Sequence, residues 1–417
     1  MMPCMRSLFL CILVFFAACV QAQEFSACVA GLKSRAIADG ISTATLAKTL
    51  DSVQALPRVI RSDRAQPEQR ESFWHYLNRR VTPDRVATGR DMLQRHADLL
   101  RRIEADYAVK PQFLLAFWAL ETNFGSFYGN TPVIAALTTL ACDKRRGPRF
   151  ADELMQALAM IEQEGIDPSK MLGSWAGAMG HVQFMPSVFI QYAVDYDRDG
   201  RRDLWGSLPD ALASAANYLH QLGWVNGERW GREVQLGQSL PYEMSGADKQ
   251  FPLAHWSQLE VRTDRGNPLP ESDLNASLIL PAGQEGPAFL IYRNFQIIMQ
   301  WNHSTVYALA VGYLSDRIAG LGRLAAVPRL YDIPVTHSQV KRIQDLLSVL
   351  GFSPGDSDGI AGQTTRAAIQ SFQHAFGYLA DGYPDRKLLQ HLESRVVEVK
   401  NRALAGPEGQ TGTPETR

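Results

Sequence analysis

One carboxylate of this chain stands where acid chemistry is favoured. Glu121 follows the apolar run Phe113-Leu-Leu-Ala-Phe-Trp-Ala-Leu120 and precedes Thr122-Asn-Phe-Gly125. Pro111 suits the first turn of a helix, and Gly125 suits its stop. A helix apolar on every side is a buried helix. Glu121 is therefore expected at the inner end of a core helix, where burial raises a carboxyl pKa. That is how a general acid stays protonated near neutral pH. A Glu at a helix end also serves as a cap or as the partner of an arginine. The run alone leaves both roles open.

A second constellation is Ser174-Trp-Ala-Gly-Ala-Met-Gly-His-Val-Gln-Phe-Met-Pro-Ser187. Gly177 and Gly180 permit close backbone approach or positive φ. Gln183 offers both a donor and an acceptor. A glycine-rich loop that delivers Ser174, Gln183 and methionine to a groove suits a sugar chain; a tight turn between helices is the alternative. No Gly-x-Ser-x-Gly elbow surrounds Ser174, so it is not a hydrolase nucleophile.

A third is Asp195-Tyr-Asp-Arg-Asp-Gly-Arg-Arg-Asp203. Asp195, Asp197 and Asp199 take the first, third and fifth positions of a calcium loop. Gly200 takes the turn, Arg201 offers its carbonyl, and Asp203 follows. Gly206 stands where the bidentate Glu belongs, and Asp210 can supply that carboxylate through a longer loop. Close carboxylates without a cation repel one another, which favours a metal over a solvated acidic turn.

These residues need elements to hold them. From Phe25 to about Leu222 the pattern is helical, with apolar residues at three and four spacing in stretches such as Asp91–Leu100 and Ala151–Ile161. Trp224 to Arg293 is rich in proline and holds short β-like runs, Ser277–Leu280 and Ala288–Tyr292. It reads as a small-sheet insertion, after which a helix returns near Ser304–Leu314. Residues 326–334 read as a linker. Val340, Ile343, Leu347 and Leu350 then share one helix face, stopped by Gly351. Asp356-Ser-Asp-Gly359 is a turn, and Thr364 to Phe376 is a further helix. Residues 396–417 read as a disordered tail, polar and rich in Gly and Pro toward the end. The fold class is α+β, mainly α.

At 417 residues the chain is long enough for two or three domains. A formal net charge of −1 gives no field for nucleic acid or anionic lipid, so neither is expected as a partner. Arg6, the apolar run Leu8–Val20 and the small residues ending at Ala22 read as a signal peptide over residues 1–22. Phe16-Ala-Ala-Cys19 is an alternative processing box that would lipidate Cys19 and attach the chain to the outer membrane. Cleavage after Ala22 is the favoured reading. It leaves Cys28 and Cys142, which read as one disulfide in an exported chain, with two buried thiols as the alternative.

The Glu121–Gly125 string, the Ser174–Ser187 string, the Asp195 loop and Trp301-Asn-His-Ser-Thr-Val-Tyr307 occur in one order and spacing. Together they resemble the lytic murein transglycosylase B family, over roughly Phe25 to Arg323. The stretch from about Pro334 to Leu392 resembles a small three-helix peptidoglycan-binding domain, through Gln344, Gly351-Phe352, Asp358-Gly359, Gly362, Thr365, Phe372-Gln373 and Asp381-Gly382. The resemblance implies a lysozyme-like core with an N-terminal helical part and a small β insertion. The catalytic region would span 23–325, with the β-rich part at about 225–293, and the wall-binding domain 335–395.

It also implies non-hydrolytic cleavage of the bond between N-acetylmuramic acid and N-acetylglucosamine, leaving 1,6-anhydromuramic ends, in wall remodelling and recycling. Glu121 matches the family's sole acid/base. Ser174, Gln183, Tyr218, Asn302 and Tyr307 match residues along the substrate groove. Asp195, Asp197, Asp199, Arg201 and Asp210 match a structural calcium loop; no organic cofactor is implied. Trp301 stands where the family has Tyr. The partners implied are peptidoglycan strands and cell-wall synthases, and the compartment is the periplasm. A hydrolysing muramidase would need a second carboxylate. Glu153, Glu162 and Glu164 are the nearest candidates, and each is expected on a solvated helix face. A scaffold that only binds glycan is the non-enzymatic alternative. The histidines, His181 among them, show no zinc spacing and are expected to be surface or ordinary core residues. Arg145-Arg146 is expected to be a solvated cluster, and the tryptophans are expected in the core.

Overall fold

The computed structural model describes residues 23–65, 71–327 and 335–405. The expected signal peptide, Cys19 and most of the expected linker lie outside them. The described chain falls into two compact units. The first gathers residues up to Pro67, Val81–Gly227 and Tyr313–Leu321; the second gathers Glu68–Arg80, Glu228–Gly312 and everything from Gly322 on.

In the first unit the helix Pro111–Thr122 is buried without a break from Phe113 to Leu120. Pro111 occupies its first turn and lacks only an N–H that no carbonyl would have met. Each large apolar side chain it buries contributes about 1.5–3 kcal/mol. The helix stops at Asn123, whose backbone is left-handed. It packs against the helices Pro83–Arg95, Ala97–Tyr107 and Leu208–Gln221. A second pair, Val133–Ala141 on Gly147–Glu164, carries the rest of the core. Two-residue strands β1 (Thr131–Pro132), directly before that pair, and β2 (Leu172–Gly173), after it, pair antiparallel. Cys28 and Cys142 are joined by a disulfide with their Cα atoms 5.9 Å apart, which ties the first described helix, residues 23–38, to the end of Val133–Ala141.

The second unit holds a five-stranded antiparallel sheet: β3 (Gly231–Gln235), β4 (Gln250–Pro252), β5 (Arg262–Thr263), β6 (Asn275–Ile279) and β7 (Ala288–Ile291), in the order β4-β6-β7-β3-β5. Central strands β6 and β7 pair from Ser277 with Ile291 to Ile279 with Phe289. Both are buried on nearly every residue, as strands covered on two faces must be. Trp256 fills the core under the sheet and donates to the Ala276 carbonyl at 3.0 Å. The helix Phe73–Arg80 also belongs to this unit, its Phe73 ring lying edge-on to Phe289 with centroids 6.0 Å apart. A segment expected in the N-terminal helical part thus serves the β insertion.

The C-terminal module consists of His337–Val349, Gln363–Ala375 and Arg386–Ala405 around Ile343, Leu347, Ile369, Phe372 and Leu392. It rests against loops of its own unit: Gln370 Nε2 donates to the Ser245 carbonyl, and Asp381 accepts from Gln284 N, both at 3.0 Å. The expected linker is pinned at its start, where Glu233 accepts from the backbone N–H groups of Ala325 and Ala326. The expectation of a disordered tail from residue 396 is corrected. The last helix runs on to Ala405: Leu388, Leu392 and Val396 form one buried stripe at four-residue spacing, and the helix continues beyond it with an exposed surface.

Candidate active site

Glu121 lines a cavity of about 360 Å³ in the first unit, together with Ser174 and Gln183. Its side chain is half-buried, whereas the helix that carries it is buried from Phe113 to Leu120. Among the residues lining the cavity, Glu121 alone bears a carboxylate. Arg58, Tyr128, Phe127 and Trp175 also reach it. Phe127 is 64% exposed, an unusual state for a phenylalanine and a ready apolar face for a sugar ring. Trp175 is half-buried at the same cavity, which corrects the expectation of a core residue.

The loops are held by their own polar groups. Ser174 Oγ accepts from Ala176 N and Ala178 N, so the hydroxyl closes the turn and keeps its proton to give. Gln183 Nε2 donates to the carbonyls of Tyr128 and Gly180, at 3.1 and 3.0 Å. Gly129 has to be glycine: its φ is +95°, and a Cβ there would lie 2.1 Å from the Gly173 carbonyl oxygen. Asn123, Phe124 and Gln183 hold positive φ without being glycine. Backbone strain of that kind gathers at functional sites.

His181, expected to be an ordinary residue, sits within this frame. Trp118 Nε1 donates to its Nδ1 at 2.9 Å, and Tyr128 Oη lies 3.0 Å from its Nε2. Burial lowers its pKa from 6.5 to about 4. Neither His181 nor Tyr128 carries a signal in the sequence beyond membership of two glycine-rich strings. Tyr218 stacks edge-on to Phe184 and close to Tyr192, and burial raises its phenol pKa. It does not line the cavity. Asn302 and Tyr307 belong to the second unit, where Asn302 ends the helix Arg293–Trp301 and Tyr307 is buried.

Of the three glutamates weighed as a second acid, Glu162 is exposed as expected, whereas Glu153 is buried and Glu164 half-buried, which corrects the expectation for those two. Glu153 is 9% exposed and accepts from Ser187 N and Oγ. Glu162 accepts from Thr45 and Ser42, and Glu164 pairs with Arg202. Arg145 and Arg146 are likewise not a free cluster. Both grip Asp63, which is 2% exposed and would be costly to bury without them.

In the acidic loop, carboxylate oxygens of Asp195, Asp197 and Asp210 lie within 4.8 Å of one another. Asp210 is fully buried; desolvation raises its pKa against three backbone N–H groups that hold it charged. Asp199 stands apart from that cluster: its N–H donates to Asp195 Oδ1, and its carboxylate caps Arg201 N. Oxygen-only donors at this spacing suit a hard cation.

Comparison with known proteins gives the same site a lineage. The transglycosylase SLT domain profile matches residues 24–316, and the peptidoglycan binding domain profile matches 336–392. The chain is 33% identical over 277 residues to membrane-bound lytic murein transglycosylase B of Escherichia coli K12, covering 66% of this chain and 75% of that protein. SltB3 of Pseudomonas aeruginosa, solved in complex with NAG-anhNAM-pentapeptide, superposes with a TM-score of 0.84 at 42% identity, over 88% of this chain and 99% of that one. Escherichia coli Slt35, solved in complex with calcium, gives 0.57 at 33% identity, over 64% and 84%. Among the described residues no helix is long and apolar enough to cross a membrane. A cavity with one carboxylate, two matching domain profiles and these relatives agree: the chain belongs to the lytic transglycosylases of peptidoglycan, with a lysozyme-like catalytic fold and a C-terminal peptidoglycan-binding domain.

Proposed function

We propose that Glu121 is the sole acid/base of an intramolecular transglycosylation that leaves a 1,6-anhydromuramic end. The observation that carries this reading is that Glu121 is the one carboxylate lining the cavity. Hydrolysing glycosidases need two carboxyl groups flanking the bond. Here Glu121 protonates the leaving glycosidic oxygen as the C1–O bond breaks. The substrate's own N-acetyl group supports the positive centre at C1. The Glu121 carboxylate then takes the proton from the muramoyl C6 hydroxyl, whose oxygen closes on C1. The tethered hydroxyl replaces water and acts at high effective concentration. Ser174 and Gln183, which share the cavity with Glu121, hold the muramoyl residue. The anhydro ligand of the SltB3 complex supports the same product.

Asp195, Asp197 and Asp210 hold a structural calcium, with Asp199 and the Arg201 carbonyl completing the loop. The close approach of three carboxylates supports it, as does the calcium in the Slt35 structure. The ion neutralises like charge within the loop, and a chelator should lower the melting temperature by several degrees, with recovery on adding calcium. The enzyme works in the periplasm on murein strands, with cell-wall synthases as partners, and reaches the outer membrane only if Cys19 is lipidated.

Glu121→Gln keeps the side chain's shape and removes its proton transfer. It should cut turnover by about 10²–10⁴-fold with the fold intact. Mass spectrometry of digested murein should show anhydro ends; reducing ends would replace this reading with hydrolysis. An active Glu121→Gln protein would end it.

A further inference from the structure

The helix Pro57–Ala65 turns its faces to different surroundings. Val59 and Asp63, one turn apart, are buried against the core. Arg58 and Ser62, also one turn apart, line the cavity that holds Glu121. Among the residues lining that cavity, Arg58 is the one cation. A guanidinium is a fork of N–H donors. The contact it makes is from Nη2 to Thr131 Oγ1, at 3.4 Å. Arg64 on the same helix reaches Asp143, and Arg145 and Arg146 grip Asp63. Among the described residues Arg58 pairs with no carboxylate.

The helix gains nothing from a cation at this place. Arg58 lies in its first turn, and no acidic residue accompanies it there. The free N–H groups of a first turn already form the positive end of the helix dipole, so the guanidinium adds like charge to like. What would relieve both is an anion in the cavity. The amino sugars of murein carry no charge. Its anionic groups are the carboxylates of the peptide that each muramoyl residue bears. A carboxylate is also the group that the planar guanidinium fork fits best, through two parallel N–H bonds.

We propose that Arg58 is a specificity-determining residue, whose guanidinium binds a carboxylate of the stem peptide on the muramoyl residue while Glu121 acts on the sugar bond. It rests on the cavity being the glycan site, as proposed above, and adds a charge that a peptide-free glycan could not use.

The test is steady-state kinetics on soluble GlcNAc–MurNAc-peptide oligomers, with the peptide carboxylates either free or converted to amides. Wild-type enzyme should show a KM about fivefold higher for the amidated oligomers with kcat little changed, the loss of an ion pair partly open to solvent. Arg58→Gln keeps a donor for Thr131 and removes the charge, so the fold survives. It should raise KM by the same factor on the free-carboxylate oligomers and respond to amidation not at all. Arg58→Lys should retain part of the preference, and added salt should narrow it. Oligomers amidated at the peptide C-terminus alone tell that carboxylate from those nearer the sugar. A wild-type KM indifferent to amidation would overturn the proposal, as would an equal response to amidation with and without the guanidinium. Glu121→Gln in the same assay separates the two readings. If it stays active, the cavity is not the catalytic site. If it is dead while Arg58→Gln matches the wild type on both oligomers, only this inference falls.

Discussion

The cavity loops and the C-terminal module both turn the chain through left-handed backbone, but they use different residues. In the module, every described left-handed position is a glycine: Gly351, Gly355, Gly359, Gly377 and Gly382. Around the cavity, Asn123, Phe124 and Gln183 take that conformation themselves, beside Gly125, Gly129, Gly177 and Gly180. A non-glycine there costs about 1–2 kcal/mol per residue. The module avoids the cost and satisfies its buried polar groups instead. Gln344 takes the Gly359 N–H on its carbonyl and donates to Asp358 and Thr365; Gln373 does the same for the turn Asp381-Gly382. Two Asp-Gly turns are thus clamped by two helix glutamines. At the cavity a glutamine is spent differently: Gln183 braces the loop while its own backbone is strained, and it lines the space that the substrate would fill. The module's turns are built for stability. The cavity's turns keep side chains where glycine would be easier.

Three experiments put this contrast at risk. The largest effect is expected in the module. Gly359→Ala places a Cβ 2.3 Å from the His337 ring and 2.8 Å from its carbonyl, at a φ of +76°. A loss of about 3 kcal/mol or more is expected. It should show as an early calorimetric transition and weaker sedimentation with insoluble murein. An unaltered melting profile would mean that the module's turns are not its stabilising device.

Acid acts on the cavity side. The His181 pKa is 6.5 in the unfolded chain and about 4 in the fold. Between those values the unfolded state binds the proton first, so lowering the pH favours unfolding. This contribution is fully present above about pH 6.5 and is lost as the pH falls toward 4. His181→Gln should flatten that part of the stability–pH curve. The same slope in the variant would assign the acid sensitivity elsewhere.

The smallest effect is expected at Asn123. Glycine suits its left-handed cap better, so Asn123→Gly should gain about 0.5 kcal/mol. It also removes the side-chain contacts of Asn123 to Arg85 and Ser126, made two residues after Glu121. Turnover should therefore fall a few-fold as the melting temperature rises. A rise without loss of turnover would show that the strain there is not kept for the site.

Much was legible because it was local. The apolar run before Glu121, the glycines of the Ser174 loop, the alternating aspartates and the four-residue stripe of the module are all patterns within one element or turn. The stripe could have been followed further: Leu388, Leu392 and Val396 announce a helix that the polar composition of the last segment obscured. Asp63 with Arg145 and Arg146 was invisible, because those partners stand 82 and 83 positions apart and meet only when the helix that carries Asp63 packs near the turn before Gly147–Glu164. Glu153 was misjudged for the same reason; the residue that buries and binds it, Ser187, lies 34 positions away.

By itself, then, the sequence determined the helices, the carboxylate at the end of the oily one, the acidic loop and the wall-binding module, since hydrophobic period, glycine and carboxylate spacing are properties of neighbouring residues. Only the tertiary structure decided that Glu121 faces its cavity without a second acid, that Phe73–Arg80 serves the β-sheet unit, and that Trp118 donates to the ring of His181. A hydrogen bond fixes a tautomer through a distance and a direction, and neither exists until the loops that carry its two ends are packed together.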